Sequence, residues 1–348
     1  MKTMLDYIQE EPETLQAILD NYQFKQDEKF EKLTHLLILA TGSSYNACLS
    51  AKVFFEKVSG ITVSIEEPYH FNHYGKITAE TNGILAVSQS GKSASTIDAM
   101  QHTKKDLVRL ALTSNLDSPI AEGVDEVIDL GIGIETVGFV TKGYTATVLH
   151  LMLLGLTIGL NKKQVTEIDV SNYKKQLQRL ITAIPSIITK SQVFFEKQKD
   201  SFQLSTRFIT IGYGANWGTA KEFETKFTET VRQPSSGFEL EAYMHGPYLE
   251  ADAEHTLFFI ENESPQAERS LQLRAYMQDY VGKTFTITTA TSHEADMLGL
   301  NIRCDEDLTP LIQIIPFQLF AYQTATFKGI DLSKRIFDDF DTVLKSKR

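Results

Sequence analysis

Two short stretches of this 348-residue chain gather the side chains that bind a small anion. Thr41-Gly-Ser-Ser-Tyr45 offers Ser43 and Ser44. Ser88-Gln-Ser-Gly-Lys-Ser-Ala-Ser-Thr96 offers Ser88, Ser90 and Ser93 with two further hydroxyl residues, beside Gln89 and Gly91. Hydroxyls rotate to meet phosphate oxygens, glycine lets backbone N–H groups approach, and a helix N-terminus adds its positive dipole end. A helix cap needs only one such hydroxyl, so the second loop holds more than capping requires. A monophosphate fits it. Neither loop is a Walker loop or a Gly-x-Gly-x-x-Gly fingerprint, so no nucleotide or other cofactor is expected. His70 and His73 have a spacing open to a metal pair, but no carboxylate-rich motif accompanies them, and they read as neutral loop histidines.

The elements that must position these loops alternate in type. Short apolar runs ending in small residues, as buried parallel strands require, occur at Leu36–Ala40, Ile84–Ser88, Val108–Thr113 and Glu126–Leu130. Helical spacing fills Ala47–Val58 and Ser93–Lys105. The pattern restarts at Arg207–Ile211, with a helix over Thr219–Val231 and strands at Thr256–Ile260 and Thr284–Thr288. Ala51-Lys-Val-Phe-Phe-Glu-Lys57 and Ala220-Lys-Glu-Phe-Glu-Thr-Lys226 share Ala, Lys, Phe and Lys in register, which points to an internal duplication. The strand end Phe259-Ile-Glu-Asn-Glu263 offers carboxylates where the first half offers hydroxyls, so one phosphate site per chain is expected. The long stretch Tyr144–Glu196 reads as helix kinked or divided at Pro185, and Leu311–Lys328 as a helix packed back on the sheets.

The expected fold is therefore α/β, with two doubly wound, mainly parallel five-stranded sheets flanked by helices in three layers. The expected divisions are an N-terminal helical segment over 1–34, a phosphate-binding domain over 35–165, a connecting helix over 166–200, a second domain over 201–335 and a tail over 336–348. A formal net charge of -11 disfavours nucleic acid as a partner. Cys48 and Cys304 show no pairing pattern. Met1–Asn21 lacks the apolar core of a signal peptide, and Val148–Leu160 is too short to span a bilayer. A cytoplasmic protein without a membrane partner is expected.

Ser88-Gln-Ser-Gly with Ser93, Thr41-Gly-Ser-Ser-Tyr45, Thr141-Lys142, and Lys226-x-x-Glu229 followed by His245-Gly-Pro247 together resemble a known family. It is the double-SIS (sugar isomerase) group, containing the isomerase half of glucosamine-6-phosphate synthase and the fructosamine-6-phosphate deglycases. The resemblance covers nearly the whole chain. It implies that Ser43, Ser44, Ser88, Gln89, Ser90 and Ser93 hold the phosphate and nearby sugar hydroxyls. It assigns proton transfer to Glu229 and ring opening to His245, with Lys142 and Lys226 in the substrate site. It also implies a homodimer or higher oligomer whose active site lies near the subunit interface. From the residues alone, His245 before Gly-Pro has the alternative of shaping a turn, and Lys142 that of pairing with Glu135 or capping a loop.

Two departures from the synthase pattern shape the expected reaction. No glutaminase segment precedes Leu36, so ammonia release from glutamine is not expected. The tail Arg335-Ile-Phe-Asp-Asp-Phe-Asp-Thr-Val-Leu-Lys-Ser-Lys-Arg348 has Asp or Phe near the place of the synthase's Schiff-base lysine, leaving Lys345 and Lys347 as candidates by proximity alone. The expectation is a deglycase that splits a fructosamine-type 6-phosphate, such as fructoselysine or glucoselysine 6-phosphate, into hexose 6-phosphate and free amino acid. The alternatives are an amino-sugar phosphate deaminase or isomerase, and a non-catalytic sugar-phosphate sensor.

Overall fold

A computed structural model describes residues 2–103 and 106–348. In chain order the elements are α1 (Met4–Asn21), α2 (Glu28–Glu31), β1 (His35–Leu39), α3 (Ser43–Ser59), β2 (Thr62–Glu66), α4 (Pro68–Tyr74), β3 (Gly83–Val87), α5 (Ala94–His102), β4 (Val108–Thr113), β5 (Glu126–Asp129) and α6 (Lys142–Asn161). They continue as α7 (Glu167–Leu204), β6 (Arg207–Gly212), α8 (Asn216–Thr230), β7 (Ser235–Glu239), α9 (Leu240–Met244), β8 (His255–Glu261), α10 (Ala267–Met277), β9 (Lys283–Thr288), β10 (Met297–Gly299), α11 (Pro310–Phe327) and α12 (Phe340–Leu344). The chain divides into two compact units. One holds Glu13–Lys175 with Arg335–Arg348, the other Met1–Pro12 with Gln176–Lys334.

The first of these units carries a parallel sheet in the order β2-β1-β3-β4-β5, the second one in the order β10-β9-β8-β6-β7. Renumbering β6 to β10 as β1 to β5 makes the two orders identical, as an internal duplication requires, although α3 and α8 start at an offset of 173 residues rather than the 169 of the seven-residue match. In both sheets the order reverses beside the first strand, which opens a crevice at the carboxyl ends of the strands. Residues 88–93, between β3 and α5, form the hydroxyl-rich turn. The expected end of the following helix at Lys104 and Lys105 lies outside the described residues.

Leu37, Leu39, Ile84, Ala86, Ile97 and Ala111 cluster with Phe71 in the first unit, and Ile209, Ile211, Leu257 and Leu273 cluster with Phe259 in the second. In the second, Phe202, Phe223, Phe258, Phe285, Phe317 and Phe320 pack ring to ring at centroid distances of 5.2–6.3 Å, geometries that add to simple burial. α8 sits unusually close to β7 because position 237 is glycine. A Cβ there would clash with the Ala220 carbonyl oxygen.

Three strands escaped the sequence reading: β2, β7 and β10. Each is an outer strand of its sheet with polar residues or little length, as in Thr62-Val-Ser-Ile-Glu66 and Ser235-Ser-Gly-Phe-Glu239, so none shows the continuous apolar run of a central strand. Pro185 does not divide its helix, which continues as α7 to Leu204. Surrounding packing supports the turn that lacks one backbone donor: Ile181, Ile184 and Ile187 are all buried. His70 and His73 sit on the short helix α4 rather than in a loop, with the His73 ring 4.5 Å from that of Tyr69. Helix α6 is long and apolar enough to cross a membrane, but 94% of its apolar window is buried inside the protein, which marks it as a core helix.

Candidate functional site

Each serine and glutamine candidate of the first unit lies at the carboxyl end of a strand or in the turn and helix start that follow. Ser43 and Ser44 open α3 directly after β1. Ser88 continues β3, its N–H donating to the Leu112 carbonyl at 3.1 Å, and Gln89 to Ser93 form the turn into α5. Gly91 has φ +66, and a Cβ at this position would clash with the Ser118 side chain. Only glycine permits both the left-handed backbone and this approach to the loop after β4. Ser88 is buried and Ser90 exposed, so the loop presents hydroxyls from floor to rim.

Gln89 and Lys142, far apart in sequence, meet at the start of α6. The Glu135 carboxylate accepts the Gln89 side-chain amide at 2.7 Å and the backbone N–H groups of Thr141, Lys142 and Gly143 at 3.0–3.3 Å. A carboxylate at a helix N-terminus is electrostatically favourable. Here it also fixes which way Gln89 points. The Lys142 contact with Glu135 is made by its backbone N–H, which a residue of any type at this position could donate. Glu135 was not ranked as a site residue, and no local motif announces it.

The C-terminal tail is a second contributor that sequence reasoning did not place. Lys347 forms an antiparallel bridge with Ser93, the Ala94 N–H donates to the Ser346 carbonyl at 3.2 Å, and the Arg348 N–H donates to the Lys92 carbonyl at 2.9 Å. The tail thus takes a donor from the first turn of α5. Arg348 also pairs with Asp98. Lys347 Nζ is bound to Asp341 at 2.9 Å. Ser346, Lys347 and Arg335 together hold the Asp341 carboxyl down at about 2, the Ser346 hydrogen bond contributing most. Lys347 is therefore committed to an ion pair in this conformation.

Within the second unit, Lys226 and Glu229 face the same side of α8, three residues apart. Lys226 is completely buried, its Nζ 2.6 Å from Glu229 Oε2 and 3.6 Å from Oε1 of the equally buried Glu222, while Glu229 is 37% exposed. One ammonium therefore bridges an inner and an outer carboxyl. Glu222 was missed because position 222 reads as one more polar residue of a polar helix; only the packing of Phe223 and Phe227 shows that this face turns inward. His245 ends α9 and leads into a turn through Gly246 and Pro247. Its ring is 79% exposed and lies 3.8 Å from Glu241, so within its own unit it is a reachable group rather than a clamped one.

At the carboxyl end of β8, where the duplicated pattern would put the phosphate loop, the structure places Glu261. Its carboxyl accepts from Ser270 and from Tyr213 Oη at 3.4 Å, and burial pushes it up to about 7 against those hydrogen bonds. Glu263 is exposed and pairs with Arg303 at 3.5 Å. The hydroxyl-rich sequence of the first unit has no counterpart in this turn.

The SIS domain family profile matches residues 29–157. Glutamine–fructose-6-phosphate aminotransferase (isomerizing) of Caldanaerobacter subterraneus subsp. tengcongensis is 24% identical over 326 residues, covering 92% of this chain and 53% of that protein. The chain spans about half the length of such relatives. The solved C-terminal domain of glucosamine-fructose-6-phosphate aminotransferase from Francisella tularensis superposes with a TM-score of 0.85 at 21% identity, over 94% of this chain and 96% of that one. Glucosamine-6-phosphate deaminase of Thermotoga maritima gives 0.76 at 21% identity, over 96% and 97%. With its duplicated parallel sheets and the matched domain at 29–157, the chain has the SIS fold and is similar in sequence to the glutamine–fructose-6-phosphate aminotransferases over about half of their length.

Proposed function

We propose that this protein is a cytoplasmic phosphosugar enzyme that moves a proton between C1 and C2 of an opened 6-phosphosugar, and that its substrate is a ketoamine, making it a deglycase. The observation that carries this reading is the Lys226–Glu229 pair. A partly exposed carboxylate held at 2.6 Å by a fully buried ammonium is fixed in direction yet open to substrate on its outer side. The hydroxyl loop from Ser88 to Ser93, with Ser43 and Ser44, supplies phosphate binding remote from the reacting carbons, which orients them.

Glu229 removes the C1 proton of the ketoamine to give the enaminol, and the resulting carboxylic acid returns the proton to C2. The product is an aldose imine. Water adds to the imine carbon, and expulsion of the amine leaves the aldose 6-phosphate. His245 serves ring opening or the proton carried to the leaving nitrogen, a task for which imidazole is suited at neutral pH. The substrate's own nitrogen supplies the imine, which suits a chain whose Lys347 is tied to Asp341. The assembly that accompanies this reading is a homodimer in which His245 completes a neighbouring site.

The test is incubation with fructoselysine 6-phosphate and, separately, glucosamine 6-phosphate, following glucose 6-phosphate, fructose 6-phosphate, lysine and ammonia. Lysine and glucose 6-phosphate are expected, and Glu229→Gln should lower kcat about 10²–10⁴-fold. Ammonia from glucosamine 6-phosphate alone would replace the deglycase with a deaminase. No turnover of either substrate would overturn the enzyme reading.

A further inference from the structure

The sheet of the first unit ends at β5, whose outer edge is paired with no further strand among the described residues. Against that edge lies a cavity of about 370 Å³, walled by the C-terminal half of α1 with the loop after it and by the middle of α6. None of its lining residues belongs to the 41–45 or 88–96 loops. Its volume falls within the range of small-molecule sites.

The chemistry of the walls is graded. Ile18, Phe30, Val127 and Leu154 make the interior apolar. His150 is the polar group of the floor, 7% exposed. Its Nε2 lies 3.3 Å from the Leu130 carbonyl, which accepts only if Nε2 carries the proton. Nδ1 is then an acceptor, and it is buried without a hydrogen-bond partner. Burial lowers the pKa of this imidazole to about 4, so it is neutral at physiological pH. An apolar residue in the same place would avoid the cost of that unmet acceptor. The mouth is weakly acidic. Lys25 is tied to Glu126 at 2.6 Å, Lys29 lies between Glu126 at 2.7 Å and Asp27 at 2.9 Å, and the exposed Asp129 accepts the Gly131 N–H at 2.8 Å through Oδ1.

We propose that this cavity binds a small aromatic amine that carries a hydroxyl or N–H donor at one end, for His150 Nδ1, and an ammonium at the other, for Asp129. Nδ1 is shut off from water in this conformation, so the ligand's donor reaches it only with a shift of neighbouring side chains. Tyr22 is one such neighbour: its ring centroid is 6.2 Å from the imidazole, and its hydroxyl is hydrogen-bonded to Thr157 Oγ1 on α6 at 3.0 Å.

Tyramine is the probe, added to the full chain labelled with ¹⁵N-histidine, with binding followed by calorimetry and by the His150 ring resonances. The expected result is binding with a Kd of about 1 mM or tighter and a shift of the His150 resonances. Phenethylamine, lacking the hydroxyl, should bind about tenfold more weakly, and 4-hydroxyphenylpropionate, with the end charge reversed, should not bind. Asp129→Asn should weaken tyramine about tenfold, and Ala17→Trp, an exposed position on the rim, should block it while the melting temperature stays unchanged. The proposal fails if tyramine leaves His150 unshifted at about 10 mM, if the carboxylate analogue binds equally well, or if folded Ala17→Trp protein still binds.

Discussion

The two units share one strand order and differ at the same structural place. At the end of β3 the chain continues Ser88-Gln-Ser90 and presents hydroxyls at a rim. At the end of β8 it continues Glu261-Asn-Glu263, with Glu261 buried against Ser270 and Tyr213. Hydroxyl donors suit a phosphate and ionised carboxylates repel one, so the proposed anion site belongs to the first unit. The helices after β1 and β6 diverge in the opposite sense. Lys57 near the end of α3 is exposed, whereas Lys226 on α8 is fully buried between Glu222 and Glu229. Duplication supplied two copies of a scaffold; the proposed division of labour has one binding an anion and the other holding a carboxylate ready for proton transfer.

The contrast between the two lysines is the one whose loss should cost most. Lys226→Met leaves the buried Glu222 carboxyl without its cation and is expected to destabilise the protein by about 3–5 kcal/mol, whereas Lys57→Met should fall within about 0.5 kcal/mol. Denaturant midpoints measure both. Equal effects would mean that burial does not separate the two positions.

The loops can be compared by importing one chemistry into the other. Ser90→Glu places at the exposed rim of the first loop the carboxylate that position 263 carries in the second unit. KM for a 6-phosphosugar should rise about 100-fold, with a smaller change in kcat, because binding remote from the reacting carbons is what is lost. An unchanged KM would remove the phosphate assignment from this loop.

Glu261 provides the smallest test, through pH. Its carboxyl is raised from 4.5 to about 7 by burial, so the folded state binds the proton more tightly than the unfolded chain. Stability from this group is whole below about pH 4.5 and is lost as pH rises through about 7. Glu261→Gln cannot ionise. Relative to the parent, it should gain about 2–3 kcal/mol between pH 4 and pH 8. Parallel stability curves for the two proteins would show that Glu261 is not perturbed.

The hydroxyl-rich loop was legible because it is written in consecutive residues. Five hydroxyl residues and a glycine follow an apolar strand, and the backbone of that strand delivers them to one place. The central strands were legible for the same reason, since a strand buried on both faces must be apolar along its length. Edge strands such as β2 and β7 were not, because one face meets solvent or a helix and admits Ser, Thr and Glu.

What tertiary structure alone decided concerns partners distant in sequence. Glu135 joins Gln89, 46 residues away, to the nearby α6 N-terminus, and the backbone of residues 346–348 pairs with residues 92–94. Glu222 is a buried counter-ion only because phenylalanines from several elements close over α8. A sequence specifies which groups are available and, through period and loop chemistry, where strands and helices begin. Which polar groups leave water, and therefore which charges strengthen and which carboxyls titrate high, depends on packing summed over the whole unit, and no short window of residues contains that sum.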